Sequence, residues 1–369
     1  MKIAFFGTRG VPAKYGGFET CAEELGSRLV EHGHEVIVYC RSSYYEEKPR
    51  DYRGIKLFYL PELKIRSLET LSHTFLSLVH GLREDCDALL IFNCANSPLL
   101  PLPLLFRKRI ALHVDGLEWK REKWSSLGRR YYRFTEWLAA RLPIVLICDS
   151  RAIQKYYRKK YQRETQLVSY GACIQHSQDR SLLRQFNLEP GEYFLQVTRF
   201  EPENNPLLSV KAFEQIKTEK KLALVGGVRY RTRYAEELLS TKDPRIVFLG
   251  FIYSRPVLRE LLSNSFAYIH GNEVGGTNPA LLEAMGAGCF VICRDVPFNR
   301  EVLGDAGIYF AKSADDLKQK MEWALFHAGE IPELKEKGRK IVEQGYNWDS
   351  VLEDYTHLFQ KMIRTRPSW

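Results

Sequence analysis

The chain has 369 residues, 45% of them apolar and 27% charged, which excludes a disordered or fibrous protein. At about 100–200 residues per domain, this length favours two domains. All of the formal charge of +9 lies in the first half, because residues 1–175 hold 28 Lys and Arg against 19 Asp and Glu, whereas residues 176–369 hold 26 of each. One half is therefore expected to face an anionic partner: nucleic acid, a phosphorylated substrate or a membrane surface.

Targeting signals and cysteines point to the cytoplasm. The apolar run at residues 1–7 is far too short for a secretory signal. The longest apolar stretch, residues 97–106, contains three prolines and is about half as long as a membrane-spanning helix. None of the eight cysteines forms a Cys-x-x-Cys pair, so we expect reduced thiols and no zinc site.

In the first half, short apolar runs alternate with longer segments of helical periodicity, which is typical of a parallel α/β sheet. The predicted strands are residues 2–6, 35–40, 55–59, 88–93, 109–114, 144–149 and 165–169. The predicted helices are residues 17–31, 67–83, 126–141 and 152–161. Residues 172–192 lose apolar density, so the predicted domain boundary lies between residues 175 and 176.

The second half repeats this alternation. Its predicted strands are residues 193–198, 222–225, 246–249, 266–270, 290–293 and 308–310. Its predicted helices are residues 205–216, 234–239, 256–263, 279–286, 314–326, 333–343 and 348–362. The predicted fold class is α/β with two Rossmann-like domains, whose strand ends face each other across a cleft. We expect the last helix to pack back on the N-terminal domain.

The loop after the first strand reads Gly-Thr-Arg-Gly-Val-Pro-Ala-Lys-Tyr-Gly-Gly-Phe-Glu over residues 7–19. It lacks the Gly-x-Gly-x-x-Gly spacing of dinucleotide-binding loops. Gly16 and Gly17 nevertheless precede a predicted helix, whose free N–H groups and dipole favour a phosphate. The alternative is that the two glycines only form a tight turn.

Two loops of the second half predict a nucleotide site. After the strand that ends at His270, the N–H groups of Gly276, Thr277 and Asn278 are suited to a diphosphate, and Glu283 to two ribose hydroxyls. The alternative for Glu283 is a structural helix carboxylate. Arg199 follows another strand and suits a leaving diphosphate, unless it is an ordinary surface arginine.

A third group of residues suits a sugar. Asp115 and Glu118 offer carboxylates to hydroxyl groups and Trp119 offers a ring for stacking, although a capped turn is the alternative. Residues 107–163 hold 16 Lys and Arg against five Asp and Glu, with aromatic residues interleaved. This favours an anionic membrane or nucleic acid over a merely solvated face. The Asp85-Cys86-Asp87 sequence precedes a strand and is interpreted as a turn, not a metal site.

Four of these motifs, at residues 7–20, 114–121, 201–205 and 275–285, together resemble the bacterial rhamnosyltransferase branch of the family-4 retaining glycosyltransferases. The resemblance implies a GT-B fold, no metal or other cofactor, and a C-terminal domain that holds the nucleotide-sugar. It also implies transfer of L-rhamnose from dTDP-rhamnose to a saccharide on a polyprenyl diphosphate. Such enzymes build capsule or cell-surface polysaccharide on the inner face of the plasma membrane, so the anionic partner is expected to be lipid rather than nucleic acid.

Motifs and resemblance together assign the site. The predicted catalytic residues are Asp115, Arg199 and Glu283. The predicted donor-binding residues are Gly16, Gly17, Arg199, Asn204, His270, Gly276, Thr277, Asn278 and Glu283. The predicted acceptor-binding residues are Lys14, Tyr15, Asp115, Glu118 and Trp119.

The chain departs from the wider family at two positions. Gly275 stands eight residues before Glu283, where most relatives have a glutamate, and Glu273 lies two positions away from it. Asn204 stands where the wider family has a lysine. The alternatives are therefore a glucosyl- or galactosyltransferase that uses a UDP-sugar, a nucleic-acid-binding protein, and a sugar-nucleotide epimerase.

Overall fold

The computed structural model describes residues 1–14, 16–65, 68–122, 124–177, 179–228 and 232–364. They form two compact units. Unit 1 contains the chain up to Tyr170, apart from a short segment that begins at Arg121, and also the last helix from Trp348 onward. Unit 2 contains that short segment and residues 171–347. The units thus divide between Tyr170 and Gly171, slightly before the boundary expected at 175/176.

Unit 1 is built on an eight-stranded sheet of order β3-β4-β2-β1-β5-β6-β7-β8, parallel except where β3 pairs with β4. The strands are β1 (Lys2–Phe6), β2 (Glu35–Arg41), β3 (Asp51–Tyr52), β4 (Ile55–Leu60), β5 (Ala88–Phe92), β6 (Ile110–His113), β7 (Val145–Cys148) and β8 (Gln166–Leu167). Side chains are buried along the whole of β5 and β6, as expected for central parallel strands that are covered on both faces.

Five helices of unit 1 connect these strands, and one more comes from the end of the chain. They are α1 (Gly17–Glu31), α2 (Glu69–Gly81), α3 (Pro101–Leu105), α4 (Ser126–Ala139), α5 (Arg151–Tyr161) and α13 (Trp348–Arg364). Helix α13 packs against α1, where the Arg28 guanidinium lies 5.6 Å from the centre of the Trp348 ring. Tyr355 and Phe359 of α13 are buried.

Unit 2 is built on a six-stranded parallel sheet of order β11-β10-β9-β12-β13-β14. The strands are β9 (Tyr193–Val197), β10 (Lys221–Val225), β11 (Ile246–Gly250), β12 (Ala267–His270), β13 (Val291–Arg294) and β14 (Gly307–Phe310). The helices are α6 (Pro206–Phe213), α7 (Arg233–Leu239), α8 (Arg255–Ser263), α9 (Pro279–Gly286), α10 (Pro297–Leu303), α11 (Ala314–Phe326) and α12 (Ile331–Gly345).

Both sheets reverse their strand order next to the first strand of the unit. In unit 1 the reversal lies between β1 and β5, and in unit 2 it lies between β9 and β12. Loops that leave neighbouring strands in opposite directions open a crevice at such a point, and open α/β sheets bind ligands there. Each unit therefore has one favoured edge for a site, at the carboxyl ends of these strands.

Candidate active site

The loops that follow β9 and β12 form one connected surface in unit 2. The side chain of Asn205 donates from Nδ2 to the carbonyl oxygen of Gly271 over 2.8 Å. The backbone N–H of Glu273 donates to the carbonyl oxygen of Glu203 over 3.0 Å. A Cβ atom at Gly271 would collide with the Asn204 carbonyl oxygen, so only glycine permits this close approach.

Arg199 lies just beyond the end of β9, and its side chain is 34% exposed. Its guanidinium lies 3.5 Å from the Glu201 carboxylate, and its carbonyl oxygen accepts a hydrogen bond of 3.0 Å from Asn204 Nδ2. Asn204 is buried, so this predicted donor-binding residue contacts the backbone of Arg199 from below the surface. The structure thus places a partly exposed cation on a loop that Asn204 holds in shape.

The loop after β12 leads directly into helix α9. Asn278 caps this helix, since its side chain accepts a hydrogen bond from the Ala280 N–H over 3.0 Å, and Pro279 occupies the first helical position. The preceding residues Gly276 and Thr277 are buried, and Glu283 is partly exposed on the second turn. The structure therefore brings a helix N-terminus and a carboxylate to the same edge of the sheet as Arg199.

Glu273 is held inside unit 2. Its carboxylate pairs with the ammonium of Lys312 and lies 3.5 Å from the Arg294 guanidinium. Arg294 lies at the end of β13 and Lys312 in the loop after β14. The sequence around Glu273 therefore does not predict these two ion pairs. Most relatives have a glutamate at the position of Gly275. If Glu273 served in its place, a ligand would have to compete with Lys312 and Arg294 for the Glu273 carboxylate.

His270 ends β12 and is buried under the loop. Its ring centre lies 6.1 Å from that of Tyr268, and its Nε2 has no hydrogen-bond partner within the described part of the chain. Burial lowers the pKa of His270 to about 3, so the imidazole is neutral at neutral pH. This predicted donor-binding residue thus lies beneath the surface that Arg199 and α9 form.

In unit 1, the loop after β1 is held by two buried glutamates of α1. Glu19 Oε1 accepts from the Arg9 N–H over 2.9 Å, and Glu23 Oε2 accepts from the Ala13 N–H over 2.5 Å. Gly16 has φ 120°, and a Cβ atom there would collide with the Glu19 carboxylate. Neither glutamate was assigned a role from the sequence, although their spacing of four residues places them on one helix face.

The acceptor residues predicted in this loop differ in how they are placed. Lys14 is exposed, donates from Nζ to the Tyr44 carbonyl oxygen over 3.0 Å, and lies 5.2 Å from the centre of the Tyr45 ring. Gly17 begins α1. Tyr15 lies outside the described residues.

Asp115 lies beyond the end of β6 and is partly exposed in a left-handed conformation with φ 63°. Its backbone N–H donates to Nδ1 of His113 over 3.3 Å. His113 is packed among the rings of Phe18, Phe92 and Tyr170, and burial lowers its pKa to about 3. The neutral imidazole can therefore accept this hydrogen bond at neutral pH.

Glu118 and Trp119 are engaged within unit 1. Glu118 is buried and accepts from Trp124 Nε1 over 3.3 Å. Trp119 donates from Nε1 to Glu136 over 3.1 Å, and the Arg133 guanidinium lies 4.7 Å from the ring centre. A sugar stacked on Trp119 would therefore share the ring with a cation.

The described residues lack two features, a cluster of metal ligands and a membrane-spanning helix. They contain no group of three or more His, Cys, Asp or Glu side chains placed to hold a metal ion. In this part of the chain, no helix combines the length and the apolar character that crossing a membrane requires. The eight cysteines all lie in the described part of the chain and form no disulfide with one another. Burial raises the pKa of the Cys289 thiol to about 11.

Comparison with known families assigns the two halves separately. Residues 179–348 match the model of the family "Glycosyl transferases group 1", and residues 1–173 match a "Domain of unknown function (DUF1972)". A protein described as an "Uncharacterized 42.6 kDa protein in cps region" of Klebsiella pneumoniae is 36% identical over 61 residues. That match covers 16% of this chain and 16% of the relative.

Solved structures of similar fold cover nearly the whole chain. Sucrose-phosphate synthase from Thermosynechococcus elongatus matches with a TM-score of 0.82, 17% identity and 98% coverage of both chains. Anabaena HepE in complex with UDP matches with a TM-score of 0.78, 16% identity, and 98% and 100% coverage. WaaG, a glycosyltransferase involved in lipopolysaccharide biosynthesis, matches with a TM-score of 0.74, 19% identity, and 97% and 99% coverage.

The two Rossmann-like parallel sheets match GT-B glycosyltransferase structures, so the predicted fold is confirmed. The match to the group 1 model covers residues 179–348, slightly less than half of the chain. Domain and fold together support a glycosyltransferase.

Proposed function

We propose that this protein is a retaining glycosyltransferase that moves L-rhamnose from dTDP-rhamnose to a lipid-linked saccharide. The observation that carries the transferase activity is one edge of unit 2, where the Arg199 loop is hydrogen-bonded to the loop that leads into α9, the helix that carries Glu283. This edge lies in the part of the chain that matches the group 1 model. These groups are a cation, N–H donors and a carboxylate, which is the set that a nucleoside diphosphate requires. The choice of rhamnose rests on the sequence resemblance.

In the proposed reaction, the bond between the anomeric carbon and the diphosphate oxygen breaks as the acceptor hydroxyl attacks from the same face. Arg199 and the N–H groups before α9 stabilise the charge that grows on the leaving diphosphate. An oxygen of the diphosphate takes the acceptor proton, and Asp115 orients the hydroxyl. Glu283 accepts hydrogen bonds from the ribose and so fixes the donor.

The proposed acceptor is a saccharide on a polyprenyl diphosphate, at the inner face of the plasma membrane. Two comparisons support a role in surface polysaccharide synthesis: the Klebsiella relative comes from a cps region, and WaaG is involved in lipopolysaccharide biosynthesis. The excess of Lys and Arg over Asp and Glu in residues 107–163 supports binding to anionic lipid.

The test is incubation of the purified protein with nucleotide-sugars and short lipid-linked acceptors, followed by mass spectrometry of the glycolipid. We expect a deoxyhexose to be added from dTDP-rhamnose, and an acceptor-dependent release of dTDP. Conversion of the donor to another nucleotide-sugar without an acceptor would identify an epimerase instead. Salt-sensitive binding to generic DNA, with no transfer to any acceptor, would favour the nucleic-acid-binding alternative.

A second candidate donor is a UDP-hexose. The structure of HepE, which has been solved with UDP and with UDP-glucose, supports this candidate. Thermal unfolding with each nucleotide-sugar separates the two donors, since a ligand that binds only the folded chain raises the midpoint. A larger shift with dTDP-rhamnose than with UDP-glucose or UDP-galactose supports rhamnosyl transfer. The reverse order supports the UDP-sugar.

We also propose that the transfer requires no metal ion. The positive charge of Arg199 and the dipole of α9 take the part that a divalent cation plays in other nucleotide-sugar enzymes. We expect the transfer rate to be unchanged after dialysis against EDTA. A loss of activity that Mg²⁺ or Mn²⁺ restores would contradict a metal-free reaction.

A further inference from the structure

Helix α4 of unit 1 presents an exposed stripe of apolar and basic side chains. Leu127 is 75% exposed, Phe134 49% and Trp137 42%. Arg130 and Arg141 are exposed at positions between and beyond them. The spacings of three and four residues place Leu127, Arg130, Phe134 and Trp137 on one side of the helix, opposite the buried Tyr132, Thr135 and Ala139. Arg141 follows the end of the helix and lies against the Trp137 ring.

Two other helices of unit 1, α2 and α3, also carry exposed apolar side chains. Helices α2, α3 and α4 all pack against the 3-10 helix Cys94–Leu99. Leu78 of α2, Leu104 of α3 and Ala139 of α4 also belong to one apolar core. Leu105 at the end of α3 is 80% exposed, and Phe75 and Val79 of α2 are also exposed. We call the outer sides of these three helices the α2–α4 face. Scattered exposed apolar residues are ordinary, but a group of large ones with a basic rim marks a surface that docks on something.

The α2–α4 face is basic where α4 contributes to it. Glu136 is the sole acidic residue in α4 and it is buried, where it accepts hydrogen bonds from Trp119, Tyr156, Tyr161 and Lys160. The exposed ring of Phe134 stacks beside Trp137 with 5.9 Å between ring centres. The Arg141 guanidinium lies 4.4 Å from the centre of the Trp137 ring. No carboxylate of α4 therefore weakens the positive charge of this stripe.

We propose that the α2–α4 face docks on an anionic lipid bilayer, with Leu127, Phe134 and Trp137 entering the headgroup region. Apolar and aromatic side chains flanked by arginines are the composition of helices that lie in a membrane interface. The arginines bind lipid phosphates while their aliphatic stems cover apolar surface. The inference builds on the proposed function, in which the acceptor is itself carried by a membrane lipid.

A second copy of the chain fits this face less well. A two-fold interface would bring the same surface of both copies together. The basic side chains of one copy, Arg130 and Arg141, would then approach the basic side chains of the other. A nucleic acid would use the aromatic rings for stacking but would leave the branched side chains of Leu105 and Leu127 in water. A bilayer accommodates both the charges and the aliphatic groups.

The test is flotation of the full chain with phosphatidylcholine vesicles that either contain or lack phosphatidylglycerol. We expect binding that requires phosphatidylglycerol and weakens as NaCl is raised. The double variant Phe134→Ser, Trp137→Ser should weaken partitioning at least about ten-fold, because it removes two aromatic groups that the bilayer would otherwise bury. The matched control is Phe326→Ser in unit 2, which replaces an 84% exposed phenylalanine and should bind like the unchanged chain.

A second pair of variants tests the charge. Replacing Arg130 and Arg141 with glutamine should weaken binding about five-fold for each charge. The matched control is Arg184→Gln, an exposed arginine in unit 2. Vesicle binding that is the same in all four variants as in the unchanged chain would overturn the proposal. So would an unchanged chain that does not float with anionic vesicles, or loss of a dimer as the sole effect of the double variant in sedimentation.

Vesicle binding tests this inference, and sugar transfer tests the proposed function. Far-ultraviolet circular dichroism and the unfolding midpoint show whether the double variant is folded. If the first double variant is not folded, a second one, Leu105→Ser with Phe106→Ser at the end of α3, repeats the test. Transfer to a short, detergent-dispersed acceptor needs no bilayer, so the variants should retain it. Failure of transfer by the unchanged chain, with vesicle binding intact, refutes the function and leaves the docking face.

Discussion

At the scale of single residues, the guanidinium of Arg199 and the carboxylate of Glu283 are two charged groups at the edge of unit 2 where we propose that the donor binds. Arg199→Ala should lower kcat about 10²–10³-fold, because the charge of the leaving diphosphate loses its fixed cation. The control is Arg184→Ala, which removes an exposed arginine elsewhere in unit 2. Steady-state kinetics with saturating donor measures the difference, and equal rates for both variants would remove Arg199 from the site.

Glu283 acts on binding rather than on the leaving group. Glu283→Ala should lower kcat/KM for the donor about 10–100-fold, since hydrogen bonds to a charged acceptor are lost. Glu322→Ala on α11 is a control for removal of one partly exposed helix carboxylate. If the Glu283 variant had an unchanged KM for the donor, the ribose assignment would be wrong.

The buried imidazoles of His113 and His270 make the stability of the chain depend on pH. Burial lowers the pKa of both His113 and His270 to about 3, below the ordinary value of 6.5. Below pH 6.5 the unfolded chain binds these protons and the folded chain does not, so stability is lost as the pH falls toward 3. Each imidazole should remove about 1.4 kcal/mol of unfolding free energy per pH unit in this window.

Urea unfolding between pH 7 and pH 4 measures this slope. His270→Asn should flatten it by the share of one imidazole, whereas His32→Asn, at an exposed position, should leave it unchanged. Equal slopes for the two variants would show that His270 titrates normally in the folded chain.

At the scale of elements, α13 illustrates how a single helix contributes to the core of unit 1. Phe359 is fully buried and Gln360, its neighbour, is exposed. Phe359→Ala should reduce the free energy of unfolding by about 3–5 kcal/mol through the lost transfer free energy and the cavity it leaves. Gln360→Ala should change it by less than about 0.5 kcal/mol. Similar values for both variants in denaturant titrations would mean that α13 does not pack tightly.

Elements with a long apolar signal were predictable from sequence. The end of every predicted strand lies within two residues of the end of an observed strand. The agreement is close because a central parallel strand buries both faces and is visible in the sequence as an apolar run. Three short elements were missed. β3 has two residues, α3 contains two prolines within five residues, and α10 has seven residues between two strands. Such lengths are too short for a periodic pattern.

The candidate site was predictable as far as topology determines it. Adjacent parallel strands end at one edge, which brings the Arg199 and Thr277 loops together. The pairs that Glu273 makes with Lys312 and Arg294, and the contact of Trp119 with Glu136, join residues far apart in the sequence. No local pattern encodes such pairings. The roles of Glu118, Trp119 and Asn204 were therefore predicted without knowledge of the residues that they contact.

At the scale of the whole molecule, unit 1 is assembled from both ends of the chain. A chain shortened after Asn347 lacks α13, which covers the side of α1 that carries the buried Cys21. Hydrogen exchange should then accelerate in α1, whereas the strands of unit 2 should keep their protection. Faster exchange throughout unit 2, with α1 unchanged, would contradict this division of the core.

The discontinuity of unit 1 also sets an order of events during synthesis. Domains usually fold from the N-terminal end as the ribosome proceeds. Here the strands of unit 1 are made first, yet the helix that covers α1 emerges last, after all of unit 2. The nascent chain therefore carries an open apolar flank on its first domain until translation reaches α13. We expect this flank to be the part of the growing polypeptide that chaperones bind.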